Sequence, residues 1–345
     1  MTIPTRRLGT SCIRVSELGF GAAALGNLYQ PVTDDDAHAT IDAALAAGLG
    51  YVDTAPYYGL GLSERRVGDA LRDAARAHDV VLSSKVGRLL IPDANVRSDA
   101  ERHGFRSAMP FAPVYDYGYD GVMRSWEASL QRLGLARIDI LYVHDIGRRT
   151  HGDDHDHNFA QLVGGGLRAL EELRGGGAIA AFGLGVNEIE VCLDVMAEIR
   201  LDAILLAGRY TLLEQGALDD LLPACAAAGT SIVIGGPYNS GILATGTTAG
   251  TPYYDYAPAQ PEIVARVAAI EAVAARHGVA LAAAALQFPL AHPDIASVIP
   301  GLDEPKRVAE TVALYQARIP AAFWRDLQTD GLLRADAPIP VETTA

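Results

Sequence analysis

The chain has 345 residues, half of them hydrophobic, and 42 acidic side chains against 28 basic ones give a net charge of −14. That balance argues against nucleic acid and anionic membrane surfaces as partners, because both call for basic patches. It also means that an anionic cofactor must be held by local groups, against the overall field.

Short apolar, β-rich runs alternate with longer helical patterns. A run at 18–23 precedes a helix at 34–47, 51–55 precedes 63–77, and 80–86 precedes 120–133. Next, 138–144 precedes 159–174, 178–186 precedes 188–199, and 203–206 precedes 215–228. Finally, 231–235 precedes 261–277 and 295–299 precedes 304–314. Eight strand–helix units are the count a closed parallel (β/α)8 TIM barrel requires. The apolar run 138–143 suits a strand buried on both faces. No fixed-period repeat and no Gly/Pro-rich linker divides the chain, so 1–345 reads as one domain. Thr33 before Asp34, and Ser63 beside Glu64, read as helix caps.

Two connections are long: 87–119, with several aromatics, and 145–158, rich in His and Asp. They follow the third and fourth strands, on the face where such barrels place their sites. The segment 151–157 has metal-ligating atoms but no metal-site spacing, and reads as a solvated loop with no metal. Gly164-Gly165-Gly166 marks a helix entry or irregularity, and Gly19-x-Gly21 lacks the context of a dinucleotide fingerprint. Cys12, Cys192 and Cys225 are widely spaced, which predicts neither a disulfide framework nor a zinc site and points to a reducing, cytoplasmic setting. The first 19 residues show no apolar secretion core, no apolar run reaches transmembrane length, and the Ala-rich stretch 278–291 reads as a packed helix.

Polar residues at strand ends carry the chemistry. Asp53 ends the second strand with Tyr58 just beyond, Lys85 interrupts the apolar third strand, and His144 closes the fourth. In a barrel these four converge at one mouth. A buried lysine calls for a carboxylate, and Asp53 on the adjacent strand is the natural one. A cation beside a phenol lowers its pKa, which makes Tyr58 a proton donor and acceptor near neutral pH. The bland alternative is a structural Asp–Lys pair with an incidental Tyr and a satisfied His.

The stretch Tyr51-Val52-Asp53-Thr54-Ala55-Pro56-Tyr57-Tyr58-Gly59, with Ser63-Glu64 and Val67-Gly68, resembles the signature of the aldo-keto reductases. The resemblance runs from Arg7-Leu8-Gly9 to Glu310. It implies a catalytic tetrad at Asp53, Tyr58, Lys85 and His144, with Tyr58 chosen over Tyr57 because it directly precedes the Gly. The implied chemistry is hydride transfer at a nicotinamide ring while Tyr58 moves the proton. For the cofactor, Asn187 carries over as a carboxamide contact, but Val186 replaces the usual Ser and Ala207 the usual Gln. Tyr210 aligns with the Tyr that stacks on the nicotinamide, and Gly236, Pro237, Gly241 and Leu243 with the seventh loop over the pyrophosphate. Gly301, Arg307 and Glu310 align with the adenosine end. Asp303 and Glu304 there would repel a 2′-phosphate, which favours NAD over NADP; the plain alternative is that these acids only open the last helix.

Three segments, 22–28, 205–212 and 236–241, look like the branch of L-fucose and D-threo-aldose 1-dehydrogenases, which also includes pyridoxal 4-dehydrogenases. The branch implies a small-molecule substrate: an aldose oxidised at its anomeric hydroxyl to the lactone, or alternatively pyridoxal oxidised to its lactone. Homo-oligomers are common in it, though no interface is legible here. A reading of another class is a nicotinamide-binding redox-sensing subunit with little catalysis, against which the complete tetrad counts.

Overall fold

The computed structural model describes residues 3–73, 80–96 and 98–341. Eight strands make one sheet: β1 (Phe20–Gly21), β2 (Tyr51–Asp53), β3 (Val81–Val86), β4 (Ile140–His144), β5 (Ala181–Val186), β6 (Ala203–Ala207), β7 (Ser231–Gly235) and β8 (Ile295–Ile299). Neighbours in sequence are parallel neighbours in the sheet. Bridges Leu18↔Val298 and Gly21↔Gly301 join the first strand to the last. The result is the (β/α)8 barrel that the strand count predicts.

The period-2 alternation of a strand sorts the side chains. Tyr51, Ile140, Tyr142, Ala181, Ala203 and Val233 pack into one interior cluster. An antiparallel hairpin, Thr5–Arg7 with Arg14–Ser16, lies beneath the barrel and adds Leu8, Ile13 and Val15 to that cluster. Alternate residues such as Leu141, Val143, Phe182 and Ile204 belong to the larger core between barrel and helices. In β3 the same rule sends Ser83 and Lys85 inward to Asp53, and Ser84 outward to Glu64.

The outer helices are α1 (Asp34–Ala46), α2 (Leu62–Asp73), α3 (Tyr119–Leu133), α4 (Leu167–Gly175), α5 (Glu190–Glu198), α6 (Leu221–Ala228), α7 (Pro261–His277) and α8 (Pro305–Gln316). Residues 74–77 of the helix predicted at 63–77 lie outside the described residues. Thr33 caps α1, its hydroxyl accepting from the Asp36 amide at 3.1 Å. Ser63 does not cap α2: it lies inside the helix and donates to the Ala22 carbonyl at 2.8 Å. The glycine run appears as a turn of π-helix, Leu162–Gly166, entering α4. There Gly166 lets the helix press against the Tyr117 carbonyl, 2.1 Å from where a Cβ would stand.

Both long connections are more ordered than the sequence suggests. The first contains an antiparallel hairpin, Arg88–Pro92 with Phe111–Tyr115. The second is helical through Arg148–His151 and His155–Gln161, with His151 and His155 buried, so it is no solvated loop. His151 and His155 turn inward because Tyr117 and the Ile146 carbonyl offer them partners, while His157 stays exposed beside Gln161. Cys12 is exposed, while Cys192 and Cys225 are buried, and all three are free. No single helix among the described residues is long and apolar enough to cross a membrane. The Ala-rich stretch forms Leu281–Gln287 and Phe288–Ala291, bent by 103° from α7.

Glu64 ties α2 to both β3 and α3. Fully buried, it accepts from Ser84 Oγ at 2.7 Å and pairs with Arg132 Nε. Glu64→Ala leaves Arg132 without its carboxylate in a nearly dry site, a loss on the order of 3–5 kcal/mol. Urea unfolding followed by far-UV circular dichroism checks this, and a change below about 1 kcal/mol contradicts it.

Candidate active site

The site begins with a cation that the barrel has to bury. Lys85 is 1% exposed; its Nζ donates to Asp53 Oδ2 at 2.6 Å and to the Thr54 carbonyl at 2.9 Å. Ser83 Oγ donates to the other Asp53 oxygen at 2.7 Å, and the Tyr51 hydroxyl stands 3.1 Å from both Ser83 Oγ and the Tyr142 hydroxyl. Burial works against the ammonium, but Asp53 and then Tyr58 outweigh it and raise the Lys85 pKa. The lysine therefore remains charged.

Tyr58 sits beside that charge, with Nζ 4.6 Å from its ring centre. The turn that delivers it needs Gly59 (φ 64°), where a Cβ would lie 2.5 Å from the Gly26 carbonyl. Burial raises the Tyr58 pKa above its ordinary 10.0, and Lys85 only partly offsets that. The lysine is where the sequence predicts it, but desolvation outweighs it, so this phenol does not titrate near neutrality.

His144 is 5.9 Å from Tyr58, ring centre to ring centre and edge-on. Burial, with the positive charges of Arg88 and Lys85, holds its pKa well below 6.5, so the imidazole is neutral. Its Nδ1 is buried without a partner. The Tyr117 hydroxyl donates to the His144 carbonyl at 2.7 Å and lies 2.9 Å from His151 Nε2, a column that holds the end of β4 in place.

These groups open into a cavity of about 540 Å³ whose wall includes Tyr58, Lys85, His144 and Asn187. Much of the remaining wall is aromatic: Tyr29, Tyr57, Phe105, Tyr115 and Tyr256. Asp53 stands one step behind, reaching the cavity through Lys85. Among the described residues no cluster of His, Cys, Asp and Glu is arranged to hold a metal ion.

The residues expected at the cofactor divide into two groups. Asn187 lines the cavity and its Oδ1 is buried with no hydrogen-bond partner, an orphan that an amide N–H would satisfy. Ala207, in the place of the usual Gln, lines the same wall. Gly236 and Pro237 follow β7, and the turn closes through Asn239, Ser240 and Gly241 with positive φ at each. Gly301 follows β8 and bridges to Gly21, and Glu310 on α8 pairs with Lys306 at 3.5 Å. Arg307 is already engaged, with Nε 2.8 Å from Asp303 and Nη2 3.6 Å from Glu304.

Two expectations do not fit. Tyr210 is fully buried, 5.3 Å from Phe288 and 5.8 Å from His292 between ring centres, and forms no part of the cavity wall. Its ring is covered, so no face is open for stacking. Leu243 is also fully buried, its side chain in the core and its amide bonded to the Tyr238 carbonyl.

Sequence reasoning missed Arg88, Asp145 and the segment 253–258. Arg88 and Asp145 directly follow Gly87 and His144 at two strand ends, a placement that was the available signal. The missed segment pairs Tyr253–Tyr254 with Ala257–Pro258, and its turn residues Asp255 and Tyr256 both have positive φ. Asp255 accepts from Arg209 Nη2 at 2.9 Å through both oxygens and from Arg149 Nη1 at 2.9 Å. Arg209 Nε also donates to the Asn187 carbonyl at 2.8 Å. One carboxylate thus straps three loops together and presents Tyr256 to the cavity.

A sequence model of the Aldo/keto reductase family matches residues 17–329. The chain is 43% identical over 337 residues to a pyridoxal 4-dehydrogenase of Microbacterium luteolum, covering 95% of this chain and 97% of that one. It is 38% identical to a D-threo-aldose 1-dehydrogenase of a Pseudomonas species, over 91% of this chain and 94% of that one. Among solved structures, the holo form of an aldo-keto reductase of Bacillus halodurans superposes with a TM-score of 0.73 at 25% identity, over 97% of this chain and 98% of that one.

Asp255→Asn weakens both halves of the strap together. Amide hydrogen exchange of residues 253–258 then accelerates by at least several-fold, while exchange in β3, β4 and β5 is unchanged. Unaltered protection of 253–258 would refute the clamp.

Proposed function

The chain belongs to the aldo/keto reductase family and is an oxidoreductase of CH–OH groups that uses a nicotinamide cofactor; we propose that it oxidises the hydroxyl of a cyclic hemiacetal to a lactone with NAD. The observation that carries this reading is the Asp53–Lys85–Tyr58 chain ending in the cavity beside a neutral His144. Between the two substrate classes named by its relatives, the aromatic wall favours pyridoxal, whose flat ring stacks on it. A second reading, an aldose such as L-fucose, draws on Asp145, Thr150 and Glu101 in the same wall.

A nicotinamide bound here would supply the hydride acceptor for the hemiacetal C–H, and its positive charge in the oxidised form would favour an anion nearby. Asn187 is the residue to hold its carboxamide. The chain's own work is the proton. Tyr58 as phenolate takes it from the hemiacetal hydroxyl, and the carbonyl of the lactone forms as that bond breaks. Lys85 stabilises the phenolate, and Asp53 with the Thr54 carbonyl keeps the ammonium aimed. His144, lacking a positive charge, orients the reacting oxygen by hydrogen bonding. For the adenosine end, NAD is supported by Arg307 being neutralised through Asp303 and Glu304, which leaves little positive charge for a 2′-phosphate.

Three measurements test the proposal. Tyr58→Phe lowers kcat by about 10²–10⁴-fold and leaves the NAD dissociation constant nearly unchanged; a wild-type rate in that variant rules the mechanism out. Because the Tyr58 phenol titrates above 10.0, kcat/KM for oxidation rises with pH through the alkaline range, and Lys85→Met moves the rise to still higher pH. A profile flat from pH 7 to pH 10 would count against Tyr58 as base. Replacing Asp303 and Glu304 by Ser raises kcat/KM with NADP relative to NAD by about ten-fold, the worth of one charged hydrogen bond. No change in that ratio would remove these acids from the selectivity.

A further inference from the structure

We propose that Arg88 and Asp145 form a charge-reading subsite that selects a planar ring bearing an ionised hydroxyl beside the hemiacetal carbon, as in a 3-hydroxypyridine. The inference rests on the cavity being the substrate site and goes further by assigning which groups choose the substrate. Gly87 shapes the approach to this subsite. Its φ is 96°, and a Cβ would fall 2.2 Å from the Tyr117 ring, so the chain turns sharply after β3 and carries Arg88 back over the cavity. The guanidinium lies 4.0 Å from the ring centre of Tyr57 and 5.5 Å from that of Tyr115. Arg88 is 4% exposed, yet its Nη2 pairs with Asp145 while its Nε is buried without any acceptor. Tyr57 and Tyr117 also accept from this guanidinium, so the one donor left unmet in a dry site is Nε.

Asp145 is aimed rather than free. It is a non-glycine residue at φ 47°, a conformation held by its amide bonding to the Gly185 carbonyl at 2.9 Å. Its carboxylate reaches Arg88 and comes within 3.5 Å of His144 Nε2. The subsite therefore places a cation and an anion side by side, between aromatic faces, next to the groups that handle the proton. A neutral sugar has no charge for that pair to read. A hydroxypyridine is flat and dipolar, its ionised oxygen matching Arg88 and its ring the faces of Tyr57 and Tyr115.

The test is calorimetric binding of 3-hydroxypyridine and its O-methyl ether, 3-methoxypyridine, to the full-length protein, beside steady-state turnover of pyridoxal and L-fucose. Wild type binds the hydroxy compound at least ten-fold more tightly than the ether, Arg88→Met brings the two within two-fold, and Arg88→Lys restores part of the difference. Because Arg88→Met strands the Asp145 charge, the double variant Arg88→Met with Asp145→Asn is measured too and shows the same loss of discrimination. Equal binding of both compounds by wild type, or discrimination that survives in Arg88→Met, overturns the subsite. Turnover of pyridoxal without such discrimination overturns it alone. Discrimination without turnover of either substrate upholds the subsite and overturns the proposed reaction instead.

Discussion

A buried ammonium organises this active site. In a chain of net charge −14, Lys85 is driven into the interior of the barrel, and its surroundings answer to that. Asp53 neutralises it, the Thr54 carbonyl takes a second N–H, and Ser83 occupies the Asp53 oxygen that Lys85 leaves free. Tyr51 and Tyr142 extend the polar thread into the barrel interior, where unpaired hydroxyls would be costly. The charge acts in the other direction as well. It draws the Tyr58 phenol toward its ionised form without overcoming burial, and after burial and Arg88 it adds to what keeps His144 neutral. One cation thus pulls on two neighbours, against burial at Tyr58 and with it at His144.

Positive charge is also set out locally inside an acidic protein. The carboxylates stay away from the reacting centre or are engaged: Glu64 by Arg132, Asp145 by Arg88, Asp255 by two arginines. After β8, by contrast, two acids, Asp303 and Glu304, hold the single Arg307. The charge balance thus reverses between the Asp255 strap, with two arginines on one acid, and the start of α8.

The architecture and the convergence of four polar groups were legible because they obey short-range rules. Strand periodicity alone put Asp53, Lys85 and His144 at successive strand ends, and the structure brings them together around Tyr58. What escaped depended on long-range packing. Ser63 looks like a cap, but its hydroxyl finds the Ala22 carbonyl forty-one residues away. The His-rich stretch looks solvated because nothing local shows Tyr117 waiting for His151. Tyr210 matches a stacking position by alignment, whereas Phe288 and His292 cover its ring. Desolvation of Tyr58 was equally invisible, since burial is a property of the assembled barrel. Arg88 and Asp145 stood in plain view, but their pairing appears only when β3 and β4 are side by side.

The Asp255 strap makes one wall of the cavity sensitive to salt. Its single carboxylate serves Arg149 and Arg209 at once, and these residues come from different loops. The two contacts meet on Oδ2, while Oδ1 serves Arg209 alone. Added ions therefore weaken both in the same stroke. Arg209 is also bonded to the Asn187 carbonyl, so whatever displaces this arginine is felt at the strap and at the residue after β5 together.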